Sequence, residues 1–210
     1  MDKRTGGTLY LNLRQRGKKR NKRGAATAGR GLIPGRIDIA QRPSIVDARS
    51  RLGDWELDSI IGAKHRGAIT SMVERKTKLT KLVLLEGPTS KATNAGIIAR
   101  LGPLKKHVHT LTSDNGKGFA SHADISEKLG AGFYFCTPYR SWECGLNENT
   151  NGLVRQYLPK GTDFAKLTAS DVQRMEDLLN SRPRKALNFY SPKEVFDKLT
   201  APLESYALSM

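Results

Sequence analysis

Three carboxylates in the 210-residue chain stand at positions where hard-metal chemistry could be built: Asp58, Asp114 and Glu148. Asp58 lies inside the apolar run Trp55 to Ile61, where an unpaired carboxylate is costly, so it calls for a partner or a cation. Asp114 sits in Ser113-Asp114-Asn115-Gly116, which by itself also suits an ordinary turn. Oxygen donors of this type suit Mg2+, and clustered without a cation they would repel one another and resist ionisation. Two such ions, held about 3.5–4 Å apart, can activate a water or hydroxyl oxygen and stabilise the leaving oxygen in a displacement at phosphorus. Glu56, on the same strand face as Asp58, and Asp54 are rival ligands, placed second because they lie nearer the start of the strand.

The elements that must position these groups follow from the apolar pattern. Trp55 to Ile61, bounded by Gly53 and Gly62, reads as a buried strand, and Ala68 to Val73 with Thr80 to Leu85 as a hairpin, giving three sequential antiparallel strands. A helix capped by Ser90 and running to Leu101 is stopped by Gly102-Pro103. The strand Val108 to Ser113 then delivers Asp114 at its C-terminal end. Ser121 with Asp124 resembles a capping box for a helix to Leu129, and Phe133 to Cys136 is an aromatic strand. Leu146 to Leu158 is helical up to Pro159. At about 100° per residue it places Leu146, Leu153 and Tyr157 on a packing face and Glu148, Gly152 and Arg155 opposite. On that second face Arg155 could hold a phosphate, and Gly152 would let a backbone approach. Thr168 with Asp171, and Ser191-Pro192-Lys193-Glu194, open two last helices. The order is that of an α/β fold, a mixed five-stranded sheet flanked by helices.

Charge points to the partner. Lys and Arg number 36 against 20 Asp and Glu, a formal net charge of +16, which favours a polyanion. Residues 1–50 hold 13 basic against 3 acidic side chains, and Lys18, Lys19, Arg20, Lys22 and Arg23 fall in a stretch too poor in large apolar residues to fold alone. This reads as a basic flexible leader that neutralises phosphates, with the domain boundary near residue 50, a core over residues 51–200 and a tail over 201–210. The longest charge-free run, Leu129 to Tyr139, has 11 residues, short of the roughly 20 that a spanning helix needs. Neither a membrane segment nor a secretory signal is evident, so a cytoplasmic location is expected. Cys136 and Cys144 have neither metal-ligand spacing nor a paired His and read as free thiols.

The motifs resemble those of transposases of the insertion-sequence-thirty family, part of the DDE transposases and retroviral-type integrases with an RNase H-like core. The stretch Asn147-Glu148-Asn149-Thr150-Asn151-Gly152-Leu153-Val154-Arg155-Gln156-Tyr157-Leu158-Pro159-Lys160 is similar to the family signature around its catalytic Glu. Gly53 to Asp58 resembles the segment bearing the first catalytic Asp, and Thr112 to Lys117 that bearing the second, with 33 residues between Asp114 and Glu148. Val73-Glu74-Arg75-Lys76-Thr77 is similar to the family's hairpin turn, and Asn180-Ser181-Arg182-Pro183-Arg184-Lys185 to its terminal basic motif. Two positions depart: Cys144 stands where a basic residue is usual, and Gly118 where an acidic one is common.

The resemblance implies an RNase H-like fold in which Asp58, Asp114 and Glu148 are catalytic and hold two Mg2+ ions, with Mn2+ as substitute. It implies DNA contacts by Lys117, Asn149, Asn151, Arg155, Lys160, Arg182, Arg184 and Lys185, alongside the leader. The expected activity is Mg2+-dependent cleavage and strand transfer on double-stranded DNA at insertion-sequence ends, by a homo-oligomer at the nucleoid, with no small-molecule substrate. Relatives carry an N-terminal helix-turn-helix reader; the first 50 residues contain no convincing pair of amphipathic helices, so the chain reads as a truncated copy. The alternatives are a catalytically idle DNA-binding remnant and a general RNase H-like nuclease.

Overall fold

A computed structural model describes residues 6–8, 33–87, 89–138 and 140–201. The chain divides into Met1–Leu32 and Ile33–Met210, and the second unit carries the fold described below. Five strands form one sheet: β1 (Asp54–Ile61), β2 (Ala68–Glu74), β3 (Thr80–Leu85), β4 (Thr110–Ser113) and β5 (Gly132–Phe135). Their order is β3-β2-β1-β4-β5. The first three run antiparallel as successive hairpins, whereas β4 and β5 run parallel to β1. Each parallel strand is reached through helical crossovers, as parallel pairing requires. Among the described residues six α-helices accompany the sheet: α1 (Ile45–Ala48), α2 (Ser90–Leu101), α3 (His122–Leu129), α4 (Gly145–Tyr157), α5 (Ala169–Ser181) and α6 (Pro192–Thr200). This is the mixed five-stranded, helix-flanked architecture expected from the sequence, consistent with an RNase H-like fold.

Side-chain alternation along β1 divides the interior in two. Trp55 and Leu57 join Met72, Ile97, Leu101, Leu111, Ile125, Phe133 and Phe135 in one core. Ile60, on the opposite face, joins Ile69, Leu82, Leu153, Val154, Phe164, Val172 and Leu179 in the other. The second core sits between the sheet and helices α4 and α5, so Asp58, two residues before Ile60, shares the face on which α4 packs.

Two capping boxes form as the sequence predicts: Thr168 with Asp171 opens α5, and Ser191 with Glu194 opens α6. The box expected at Ser121 does not form. Its backbone N–H donates to Ser90 Oγ at 3.0 Å, and its carbonyl accepts from the Asn94 amide at 2.9 Å, so α2 binds it instead. Helix α2 is capped one residue earlier than expected, by Thr89.

Residues 33–48 pack on the sheet. Ile33 is in the first core, Phe135 N–H donates to the Ile37 carbonyl at 2.9 Å, and buried Arg42 donates to Thr112 Oγ1 at 2.9 Å. The edge of β3 is covered by side chains of α5: Asn180 Oδ1 accepts from Thr80 N–H at 2.8 Å, its amide donates to the Thr80 carbonyl at 2.7 Å, and Glu176 Oε2 accepts from Leu82 N–H at 2.7 Å. Glu176 also pairs with Lys81 and Arg100, which balances its buried charge.

The free thiols expected at Cys136 and Cys144 are instead joined as a disulfide. The end of β5 and the turn into α4 fold back on each other and bring the two residues together, a closeness that spacing alone does not reveal. Among the described residues no helix is long and apolar enough to cross a membrane.

Candidate active site

The parallel pairing of β1 with β4 sets two of the three carboxylates side by side. Leu57 is in register with Ser113, so the next residues along the two strands are Asp58 and Asp114. Asp114 is exposed at the end of β4 and accepts from Gly116 N–H at 3.0 Å. A Cβ at Gly116 would lie 2.9 Å from Asp114 Oδ1, so a side chain there would push the carboxylate aside. Glu148 is exposed on the first turn of α4.

Asp58 is the most confined of the three. Its Oδ1 accepts from Ser59 N–H at 2.7 Å and its Oδ2 from the Asn151 amide at 2.7 Å. Burial, followed by repulsion from Asp114, raises its pKa to about 6; the bonds from Ser59 and Asn151 oppose the rise, and Glu148 adds a further upward push. Both other carboxylates are therefore close enough for their charge to be felt at Asp58. Their oxygens are hard donors whose mutual repulsion a divalent cation would relieve, so the donor set fits Mg2+. The cluster is open as it stands: among the described residues no three acidic, His or Cys side chains are gathered closely enough to hold a metal ion.

The rival ligands are engaged elsewhere. Asp54 is fully buried, bound by Arg51 at 2.8 Å and by the Thr110 hydroxyl at 2.7 Å. Glu56 is fully buried, paired with Arg75, and accepts from the backbone N–H of Asn147 at 3.0 Å. Arg75 in turn donates to the Val46 carbonyl at 3.2 Å. Instead of facing a metal, Glu56 anchors the helix turn that bears Glu148.

Behind Asp58 is a polar relay that the sequence reading did not identify. Ser71, paired with Asp58 across the hairpin, has its Oγ 2.8 Å from Asn147 Oδ1 and 2.8 Å from Asn151 Oδ1. One hydroxyl proton can serve one acceptor only. Asn147 Nδ2 is buried without a partner, and turning that amide over lets it donate to Ser71, whose proton then serves Asn151. Asn151 is thereby held with its amide toward Asp58. The available signal was the i, i+4 spacing of Asn147 and Asn151, which puts two amides on one helix face.

The proposed DNA contacts are distributed unevenly. Lys117, Asn149, Lys160 and Lys185 are exposed, while Asn151 is partly buried against Asp58. Arg155 donates to the Ile61 carbonyl at 3.0 Å and lies 5.4 Å from the centre of the Phe164 ring, and burial lowers its pKa. It braces the exit of β1. Arg182 is exposed and donates to Gln156 at 3.2 Å, whereas Arg184 is half-buried and donates to the Leu179 carbonyl at 3.0 Å. Lys18, Lys19, Arg20, Lys22 and Arg23 lie outside the described residues.

No family model matches the chain. It is, however, 48% identical over 198 residues to the transposase for insertion sequence element IS4351 of Bacteroides fragilis, covering 94% of this chain and 61% of that protein. It is 41% identical over 197 residues to the transposase for IS1086 of Cupriavidus metallidurans, covering 92% of this chain and 57% of the relative. With the transposase InsI for IS30A of Escherichia coli K12 it shares 38% identity over 161 residues, 76% of this chain and 42% of that protein. The chain thus spans roughly two-fifths to three-fifths of the length of these curated relatives.

Proposed function

Since the chain is a homologue of insertion-sequence transposases of the IS30 type, we propose that it provides the catalytic core of a DNA transposase, cutting at element ends and joining the freed strand to target DNA. The observation that carries this reading is the juxtaposition of Asp58 with Asp114 through the β1–β4 register, with Glu148 near enough to raise the Asp58 pKa. Asp58, Asp114 and Glu148 would hold Mg2+, or Mn2+ in its place, in a two-ion arrangement. When bound, the metal supplies activation of an oxygen nucleophile and charge stabilisation of the leaving oxygen.

The chain's own residues do the positioning. Asn151, steadied by Ser71, aims the Asp58 carboxylate, and Glu56 fixes the turn that presents Glu148. Lys117, Lys160, Arg182 and Lys185 neutralise strand phosphates, as the basic leader does through Lys18, Lys19, Arg20, Lys22 and Arg23, which gives binding a steep salt dependence. A homo-oligomer acting on paired ends suits this chemistry.

A branched DNA that mimics the joined product tests the reading, because a preformed branch needs no end recognition. Metal-dependent joining or its reversal by the full chain, lost in Glu148→Gln, is the expected result. Salt-sensitive binding without turnover at any Mg2+ or Mn2+ concentration would replace it with an idle DNA-binding role, and turnover confined to RNA–DNA hybrids with a general nuclease.

A further inference from the structure

Between α5 and α6 the chain forms a closed loop whose two aromatic side chains face solvent. Phe189 is 71% exposed and Tyr190 60%. The loop is well fastened: Arg184 N–H donates to the Tyr190 carbonyl at 3.0 Å, Phe189 N–H to the Arg184 carbonyl at 2.9 Å, and Tyr190 N–H to the Leu187 carbonyl at 3.0 Å. Arg184 ties it to the end of α5 through the Leu179 carbonyl. Asn188 and Phe189 both adopt left-handed backbone, with φ of 53° and 66°. Asn tolerates that conformation, but a bulky aromatic rarely adopts it. A rigid loop that holds a Phe in an unfavourable conformation and leaves it in water is not explained by packing.

The surroundings are cationic. Residues 182–190 contain Arg182, Arg184 and Lys185 and no acidic residue. Arg182 reaches Gln156 on α4, eight residues beyond Glu148, about 12 Å along the helix axis at 1.5 Å per residue. That distance is roughly three to four nucleotides of a B-form strand. Self-association through this loop would bring together two copies each carrying +16, so the charge favours a polyanion. Flat aromatic faces flanked by cations are the elements of a stacking platform for nucleobases.

We propose that Phe189 and Tyr190 form a base-stacking site for an unpaired nucleobase of a DNA strand whose phosphates are held by Arg182 and Lys185. A base within intact duplex has both faces covered, so the ligand is a base freed at a strand end or branch. The inference rests on the DNA-processing role proposed above and adds the local state of the DNA that the chain prefers.

The test uses the full chain and a branched DNA with 2-aminopurine at the unpaired position beside the branch, read by fluorescence for stacking and by anisotropy for affinity. Wild-type chain is expected to quench the probe. Phe189→Ala and Tyr190→Ala should abolish the quenching and weaken binding roughly 5- to 150-fold, the range for loss of one base–aromatic stack. The salt dependence should remain unchanged in these variants, whereas Lys185→Ala should lower its slope by about 1. Phe189→Leu keeps an apolar side chain without the aromatic face; quenching restored by Leu overturns the proposal. So does an unmoved probe signal accompanied by a change in the solution mass of Phe189→Ala, which makes the loop a contact between copies. Glu148→Gln should quench like the wild type; in the wild type itself, stacking without turnover would reject the transposase reading alone, and turnover without stacking would reject this inference alone.

Discussion

The backbone N–H of Asn147 donates to Glu56 Oε2 at 3.0 Å, joining the first turn of α4 to the middle of β1. Glu56 is fully buried and its other oxygen pairs with Arg75, so one carboxylate neutralises a buried cation and seats the turn that presents Glu148. Replacing it by Ala leaves buried Arg75 with only the exposed Asp47, 3.7 Å away, as counter-charge, and removing the close partner of a buried pair typically costs about 3–5 kcal/mol. Urea titration of Glu56→Ala should show a loss of that order. A loss below about 1 kcal/mol would mean that Arg75 finds another partner.

Asp58 makes the stability of the metal-free chain depend on pH. Its pKa rises from 3.8 unfolded to about 6 folded, so between those values the folded chain binds more protons than the unfolded one. The associated stability is full below pH 4 and is lost as pH rises through 6. Discounted for its partial exposure, the effect is on the order of 1–2 kcal/mol. Asp58→Asn should therefore unfold at a higher temperature than wild type at pH 7 without metal, with the advantage vanishing near pH 4. An advantage that persists at pH 4 would point to a cause other than ionisation.

Gly116→Ala tests the turn that holds Asp114. The added methyl would meet Asp114 Oδ1 at 2.9 Å and displace the carboxylate, in an exposed turn where stability should change by no more than about 0.5 kcal/mol. Metal-dependent turnover should fall by roughly tenfold or more, since a shift of about 1 Å in a reacting geometry is enough for such a loss. Unchanged turnover would show that Asp114 is not needed where it stands.

Asn180→Ala removes both bonds by which α5 closes the β3 edge at Thr80, leaving a buried N–H and a carbonyl unpaired. A loss of about 2–3 kcal/mol is expected in denaturant unfolding. Asn180→Gln, with the same amide on a longer stem, should recover only part of it.

Phe189→Gly should separate stability from binding. Glycine adopts the left-handed backbone of position 189 freely, and after its greater unfolded-state entropy is subtracted a gain of about 0.5–1 kcal/mol remains. The melting temperature should rise while the quenching of an unpaired base disappears. A lower melting temperature would mean that the exposed ring contributes to the fold.

Much of this architecture was legible because local rules decided it. The alternation of Trp55 and Leu57 against Asp58 and Ile60, the Ala68–Glu74 and Thr80–Leu85 hairpin, and the boxes at Thr168 and Ser191 each involve neighbours in sequence. Asp58 was conspicuous for the same reason, as a charge inside an apolar strand. What stayed hidden depended on partners far along the chain. Nothing near Glu56 indicates that Arg75 and the amide of Asn147 will engage it, and Ser121 gives no sign that Ser90 will occupy it before its own helix does. The Cys136–Cys144 pairing likewise depended on the path of the intervening loop. Arg155 shows the limit of helical-wheel reasoning: the angle places it on the working face, but its length lets it fold back to the Ile61 carbonyl and the Phe164 ring.

The side chains of α5 that occupy the β3 edge bear on how copies of the chain can assemble. From Thr80 to Leu82, Asn180 and Glu176 take the hydrogen-bonding positions that a neighbouring strand would need. Two copies cannot fuse their sheets through this stretch without first prying α5 loose. Any assembly of copies would therefore have to use contacts other than strand pairing along this stretch, and mixing the chain with its longer relatives should not seed β-zippered aggregates from this side.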